Sequence, residues 1–231
     1  MTAEILQQQI EYYRARAGEY DEWFYRVGRY DRYDELNYRW FSEASSVMNV
    51  LLQQGPFAEV LELACGTGIW TRELLNISQH ITALDASQEV LKLNREKVQS
   101  EKVEYQQQDL FAWQSDRQYD LVFFSFWLSH VPPELVDEFL AKVFRATKAG
   151  GQIFMVDSLE EPTSTSIDWP LREDEQIYRT RKLNNGQIYQ IVKVFYKPEE
   201  LQARLEAQGF EAEVKGAPNY FLYATATKPL D

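Results

Sequence analysis

Val60-Leu61-Glu62-Leu63-Ala64-Cys65-Gly66-Thr67-Gly68 decides the fold of this chain. An apolar run closes on an acidic residue, a Gly-x-Gly follows, and helical spacing begins. That is the pattern of a strand, a tight loop and a helix start, the place where an α/β sheet receives a nucleotide-like ligand. Gly66 and Gly68 let the backbone turn sharply and let a ligand come close where a Cβ would obstruct it. The third glycine of the dinucleotide fingerprint is missing, because Thr71 holds its position, and no Gly-Lys-Ser/Thr follows to make a P-loop. A carboxylate at Glu62 would repel a pyrophosphate and suits a ligand that carries an amino group.

Outward from this loop the chain alternates between strand and helix patterns. Strands are expected near 59–63, 81–84, 102–106, 120–125 and 152–157, and helices near 68–76, 87–99 and 133–147. This spacing implies parallel strands with crossover helices on both faces. The continuous apolar run at 121–126 fits a strand buried on both sides. Asn184-Asn185-Gly186 sits between Ile177–Lys182 and Gln187–Tyr196, which is a hairpin signal. A helix opens at Pro198 and stops at Gly209, and two antiparallel strands are expected over 210–216 and 220–228. Upstream, 4–17 and 34–52 read as helices, with a turn at 21–25 and a stop at Gly55-Pro56. The stretch from Tyr12 to Tyr33 is dense in tyrosine and tryptophan; these rings either pack helices on the sheet or form a lid over the ligands. The expectation is one domain over 1–231, with a helical lid at 1–45 and a ligand-binding core at 46–157. An irregular insertion with the hairpin covers 158–196, and the C-terminal helix and strands cover 197–231.

With 231 residues, 45% of them hydrophobic, the chain can bury a full core. Its formal charge of −12 argues against nucleic acid and against an anionic membrane surface as partners. Cys65 is the one cysteine, so no intramolecular disulfide forms, and with two histidines a conventional zinc site is implausible. The first residues lack the features of a secretory signal, so a cytoplasmic location is expected. Oligomeric state is left as monomer or homodimer.

Glu62-Leu63-Ala64-Cys65-Gly66-Thr67-Gly68 resembles motif I of the class I S-adenosylmethionine-dependent methyltransferases. Ile81-to-Asp85, Val103-to-Asp109, Tyr119-to-Ser125 and Ala149-to-Asp157 resemble the strand ends that follow it in that family. Ala64 departs from the pattern, since many members have glycine there. The resemblance implies a Rossmann-like, doubly wound, seven-stranded sheet that is mostly parallel with antiparallel C-terminal strands. It also implies S-adenosylmethionine as cofactor, S-adenosylhomocysteine as product, and no metal.

Each site residue carries a plain structural alternative. Asp85 would bind the ribose diol, or cap the helix beginning near Ser87. Asp109 would accept from the adenine amino group with Leu110 against the ring, or serve as a turn residue. Glu62 would reach the amino group through water or orient the glycine loop, with Ala64, Gly66, Thr67, Gly68 and Ala86 forming the cradle. Ser125 and Phe126 lie where the methionine half belongs, and Tyr13 and Tyr20 would close over it. His130, in the loop beyond the fourth strand, is the candidate general base, or else a cap or backbone-bonding residue. Trp23, Tyr25, Trp127, Trp169, Arg172 and Tyr178 are candidate acceptor-site residues, with Arg179 and Arg181 as further walls. Methyl transfer needs little beyond alignment and exclusion of water, so no nucleophilic residue is required. The expected reaction moves a methyl group to an oxygen or nitrogen of a small metabolite, with aromatic and prenylated molecules among the candidates. Protein side-chain methylation and a non-catalytic S-adenosylmethionine-binding protein are the alternatives.

Overall fold

The computed structural model describes residues 2–172 and 175–230; residues 173 and 174, inside the expected irregular insertion, lie outside that part, as do the two terminal residues. In chain order the helices are α1 (Thr2–Arg16), α2 (Tyr20–Phe24), α3 (Tyr33–Leu52), α4 (Ile69–Leu74), α5 (Gln88–Val98), α6 (Val136–Ala146) and α7 (Pro198–Ala207). The strands are β1 (Phe57–Leu63), β2 (Ser78–Asp85), β3 (Val103–Gln107), β4 (Tyr119–Ser125), β5 (Thr147–Ser158), β6 (Tyr178–Lys182), β7 (Ile188–Val192), β8 (Glu211–Gly216) and β9 (Phe221–Thr227). Seven of them form one sheet in the order β3-β2-β1-β4-β5-β9-β8, while β6 and β7 pair separately. Strands β1 to β5 run parallel, and β9 and β8 add antiparallel to the β5 edge.

The apolar run of β4 explains why the sheet is covered on both faces. Leu121, Val122, Phe123 and Phe124 are each fully buried. Val122 and Phe124 join a core with Leu61 and Leu63, under Phe139, Leu140 and Val143 of α6 and Leu201 and Leu205 of α7. Leu121 and Phe123 point the other way, into a core with Val60, Trp40, Val47 and Leu51 of α3, and Leu91 of α5. This is the period-2 alternation of a central strand, here apolar on both sides.

Among the boundaries that differ from the sequence reading, three have a local reason. The helix expected over 133–147 begins with a single 3-10 turn at Pro133–Leu135, after Pro132-Pro133, and becomes α-helical only at Val136. The fifth strand starts at Thr147 rather than 152, because Thr147 already pairs with Tyr119 before a register shift that contains Gly150-Gly151. Strand β7 stops at Val192 instead of reaching Tyr196. Beyond it the Val194 N–H leaves the hairpin and donates to Ser129 O at 2.8 Å.

The N-terminal helices and the hairpin form one cap over the carboxyl ends of the strands. Tyr12 of α1 packs with Leu183 and Ile191 of the hairpin in a small apolar cluster of its own. Gln9 joins three elements at once: its Nε2 donates to His130 O at 2.9 Å, and its Oε1 accepts from Val192 N at 3.1 Å. Trp23 Nε1 donates to Ser164 O at 2.8 Å. Asp21 of α2 ties the cap to the core, accepting from Thr67 Oγ1 and pairing with Lys97.

Candidate active site

The strand order reverses between β1 and β4, so the loops after these strands diverge and leave a crevice at the sheet's carboxyl edge. A cavity of about 750 Å³, counting its open mouth, fills this crevice. Ala64 and Gly66 line it from the loop after β1, Asp85, Ala86 and Ser87 from the loop after β2, and Asp109, Leu110 and Phe111 from the loop after β3. Ser125, Phe126 and Trp127 line it after β4, Val90 lies below, and Gln9, Ile10, Tyr13 and Tyr20 close it from the cap. Every crossover loop thus contributes, which is why the sequence signals fall at strand ends.

The glycine loop is held open for a ligand. A Cβ at Gly66 would find only Ala64 O, at 4.0 Å, and so would stand in the open cavity. Gly68, at φ +95, has no such room, since a Cβ there would meet Asn94 Oδ1 at 2.9 Å. Ala64 adopts φ +53 and Phe126 φ +51, two non-glycine residues in the left-handed region at the tips of β1 and β4. Such strain persists only where the surroundings hold it, and here both residues face the crevice.

Asp85 is oriented by backbone donors. Its Oδ2 accepts from Gly66 N at 3.1 Å and its Oδ1 from Ser87 N at 3.0 Å. The cap of α5 is Ser87, whose Oγ accepts from Val90 N at 3.2 Å, so Asp85 is not the capping residue. Burial raises the Asp85 carboxyl above its ordinary value, against the backbone donors that lower it. Asp109 lines the cavity and is also a turn residue, accepting from Phe111 N at 2.9 Å.

Glu62, Thr67 and Gly68 stand elsewhere. None of them lines this cavity. Glu62 is 1% exposed and sits behind the loop, where its Oε2 accepts from Thr71 Oγ1 at 2.7 Å. Asn94 continues the support, donating to Thr71 Oγ1 at 2.9 Å and to Gly66 O at 3.0 Å. The alternation of β1 places Glu62 on the same face as Val60, toward α4 and α5, and this could have been read from the sequence. Thr67 faces a smaller recess beside Trp70. Burial pushes the Glu62 carboxyl up to about 8. Near pH 4.5 and below, folded and unfolded chains both hold this proton; as the pH rises toward 8 only the unfolded chain releases it, and stability falls. Glu62→Gln keeps the acceptor for Thr71 without the charge. It is expected to raise Tm by about 5–10 °C at pH 8, a gain that fades as the pH is lowered to 4.5; equal shifts at both pH values in a thermal melt would contradict this.

A second cavity of about 740 Å³ adjoins the first, with Tyr13, Tyr20 and Phe126 in the walls of both. Trp23 and Trp169 line it, as the sequence suggested, together with His130 and Arg181. Arg16, Lys182, Lys193, Tyr12, Tyr30, Ser158, Ser164, Thr165 and Ser166 complete its polar wall, and of these Arg16, Lys182 and Lys193 had no signal in the sequence. Four expected acceptor residues are not in it. Trp127 lines the first cavity, and Arg172 an outer groove together with Arg179. Tyr178, at the start of β6, lines neither cavity. Tyr25, at the end of α2, is 41% exposed.

Lys193 pairs with Asp157 at 3.2 Å, but among the described residues Arg16 and Arg181 have no matching acid. Arg16 lies over the Tyr12 and Tyr20 rings, at 5.6 and 5.0 Å. Arg181 donates to Thr180 O at 3.2 Å. Among the described residues no carboxylate lies within ion-pair distance of either guanidinium. Burial holds the Tyr13 hydroxyl well above its ordinary value and Tyr20 at about 12, so both remain protonated. His130 Nδ1 lies 2.6 Å from Val192 O. A carbonyl only accepts, so Nδ1 carries the proton and Nε2 keeps its lone pair. Burial and then the nearby Lys193 charge push the His130 pKa well below the usual value, which leaves the ring neutral.

Comparison with known proteins places this geometry. A model of the methyltransferase domain matches residues 60–151. The structure of DhpI in complex with SAH superposes with a TM-score of 0.79 at 36% identity, over 97% of each chain. The DhpI complex with SAM and HEP gives 0.78 at 37% identity, over 96% of this chain and 97% of that one. This chain is a class I S-adenosylmethionine-dependent methyltransferase. Curated relatives of the methyltransferase include demethylmenaquinone methyltransferases of Listeria welshimeri serovar 6b and Listeria monocytogenes, 30% identical over 133 residues. That similarity spans about half their length, 53%, and 54% of this chain. The residues of the first cavity fit the cofactor: Asp85 offers an acid, Leu110 and Phe111 an apolar slot, and Gly66 an open approach that a Cβ would fill. Among the described residues of the methyltransferase, no helix is long and apolar enough to cross a membrane, and no cluster of His, Cys, Asp and Glu is placed to hold a metal.

Proposed function

We propose that this methyltransferase moves a methyl group onto an oxygen of a small anionic acceptor held against Arg16, Arg181 and Lys193. The observation that carries this reading is the pair of guanidiniums with no carboxylate partner, beside a buried lysine, in a chain whose net charge is −12. Where acids outnumber bases, an arginine finds a carboxylate by default. Asp157 balances Lys193, and Arg16, Arg181 and Lys182, which line the same cavity, repel one another unless a further anion joins them. The same repulsion disfavours an amine acceptor, whose methylated product would bring a further positive charge, and a prenyl chain gains nothing from such a wall. The DhpI complex with SAM and HEP lends support to a site that takes the donor and a second ligand together. The cap over both cavities favours a small acceptor over a protein side chain.

S-adenosylmethionine supplies an electrophilic methyl group on a sulfonium. Asp85 receives the ribose hydroxyls, and Leu110 and Phe111 flank the adenine. Tyr13, Tyr20 and Phe126, shared by both cavities, shape the passage between them and exclude water, so alignment provides most of the acceleration. His130 Nε2 takes the proton of the acceptor oxygen, since the tyrosines hold theirs and the cationic side chains have no free lone pair.

Release of S-adenosylhomocysteine, measured over a panel of small phosphonates, phosphates and carboxylates and their neutral amides or esters, tests the reading. Anionic members are expected to turn over and their neutral counterparts to be inert; preferred turnover of a neutral quinol or of an amine would reject it. In the same assay His130→Gln is expected to lower kcat on the order of 100-fold with cofactor affinity unchanged. An unaltered kcat would mean that the oxygen arrives already ionised and that His130 only walls the cavity.

A further inference from the structure

We propose that Asp157 is a positioning residue: fixed to the end of β5, it supplies the negative charge that keeps Lys193 an ammonium in the acceptor cavity and pins the turn that presents His130. Asp157 lines neither cavity and nothing in the methyl-transfer chemistry calls for it. It is 1% exposed, and its side-chain hydrogen bonds go to Ser129, Ser158 and Lys193, on the side of the second cavity. Its Oδ2 accepts from Ser129 N at 2.9 Å, within the 3-10 turn Leu128–His130. Its Oδ1 accepts from Ser158 N at 2.8 Å and from Lys193 Nζ at 3.2 Å. Lys193 Nζ also donates to Ser129 Oγ at 2.8 Å and lies 5.2 Å from the centre of the Phe195 ring. One carboxylate thus organises both the group that would hold the acceptor and the group that would deprotonate it.

The electrostatics require such a partner. Lys193 is 7% exposed. It faces Asp157 from β5, Ser129 and neutral His130 from the turn after β4, Arg181 from β6, and Arg16 and Tyr13 from α1. Burial, Arg181 and Arg16 all favour its neutral form, and Asp157 opposes them. A buried ion pair survives when further hydrogen bonds satisfy both members, and here Ser129 and Ser158 do so. With the carboxylate gone, Lys193 is expected to shed its proton within the ordinary assay range.

The inference rests on the anionic-acceptor reading, and sulfate separates the two because its charge is constant between pH 6 and 9. Sulfate binding to the S-adenosylhomocysteine-loaded protein is followed by calorimetry at fixed ionic strength. Wild-type affinity is expected to vary little across this range. Asp157→Asn, which keeps the size and an acceptor for Ser129 N–H, is expected to bind sulfate on the order of 10-fold more weakly at pH 9 and to recover toward wild type at pH 6. Lys193→Met should be weak at every pH, and adding Asp157→Asn to it should cost nothing more. A pH-independent Asp157→Asn, or a further loss on top of Lys193→Met, overturns the positioning role while leaving the anion site standing. Wild-type protein that fails to bind sulfate overturns the anion reading and this inference with it. S-adenosylhomocysteine affinity, unchanged in each variant, reports that the fold is intact.

Discussion

Asp85→Ala is expected to weaken S-adenosylmethionine binding on the order of 100-fold. The Asp85 carboxylate lines the cofactor cavity at the end of β2 and is aimed by Gly66 N and Ser87 N. Two ribose hydroxyls donating to a charged acceptor contribute about 1.5–3 kcal/mol each. Losing roughly 3 kcal/mol in total corresponds to about two decades in Kd. The same substitution removes the acceptor for Gly66 N, so the glycine loop also loses a restraint. Asp85→Asn, with one acceptor oxygen and no charge, should fall between, near 10-fold. Calorimetry decides the matter: a folded Asp85→Ala protein with wild-type affinity would strip Asp85 of the ribose role.

Arg181→Ala is expected to raise the acceptor KM on the order of 100-fold while leaving cofactor affinity unchanged. Breaking one side of a desolvated, hydrogen-bonded charge pair costs about 2–5 kcal/mol, and Arg181 lines the second cavity, where the acceptor is proposed to bind, and not the first. Its guanidinium pKa is already lowered, first by burial and also by Arg16. Removing it relieves that crowding, so the acceptor-free protein should keep its Tm or gain a little. Higher stability together with poorer acceptor binding is the mark of a functional cluster rather than a structural one. Arg181→Lys should recover part of the affinity, since the charge returns without the planar fork. A lowered Tm with an unaltered KM would make Arg181 a structural residue and remove the basis for an anionic acceptor.

Legibility in the sequence followed the range of the forces involved. The parallel strands, the glycine loop, the Asn-Asn-Gly hairpin and the antiparallel C-terminal pair were legible because alternation and turn chemistry act over a few residues. The same holds for Asp85, Asp109 and Ser125, which end strands whose order reverses at β1 and β4, so their position along the chain places them at the crevice. Glu62 was half legible. Its link to the loop could be anticipated, but the cofactor-facing role required attention to which face of β1 it occupies, and it bonds Thr71 instead. The acceptor side was the least legible. Arg172, Tyr178, Arg179 and Arg181 are neighbours in sequence with the same expectation, yet of the four only Arg181 lines the second cavity. Lys193 falls in the strand expected over 187–196 and Arg16 near the end of the helix expected over 4–17, and neither position signals a cavity.

The sequence by itself determined the α/β sheet and the site of the cofactor crevice, because backbone geometry and hydrophobic periodicity are local and leave a trace in consecutive residues; the molecule that fills the crevice was implied by the resemblance of the glycine loop and strand ends to a methyltransferase family. Only the tertiary structure decided that Arg16 of α1, Arg181 of β6 and Lys193 beyond β7 converge on one cavity, with Asp157 behind the lysine. Whether a charge meets an opposite charge, water or another like charge depends on elements far apart in the chain, and that pairing exists only once they have packed.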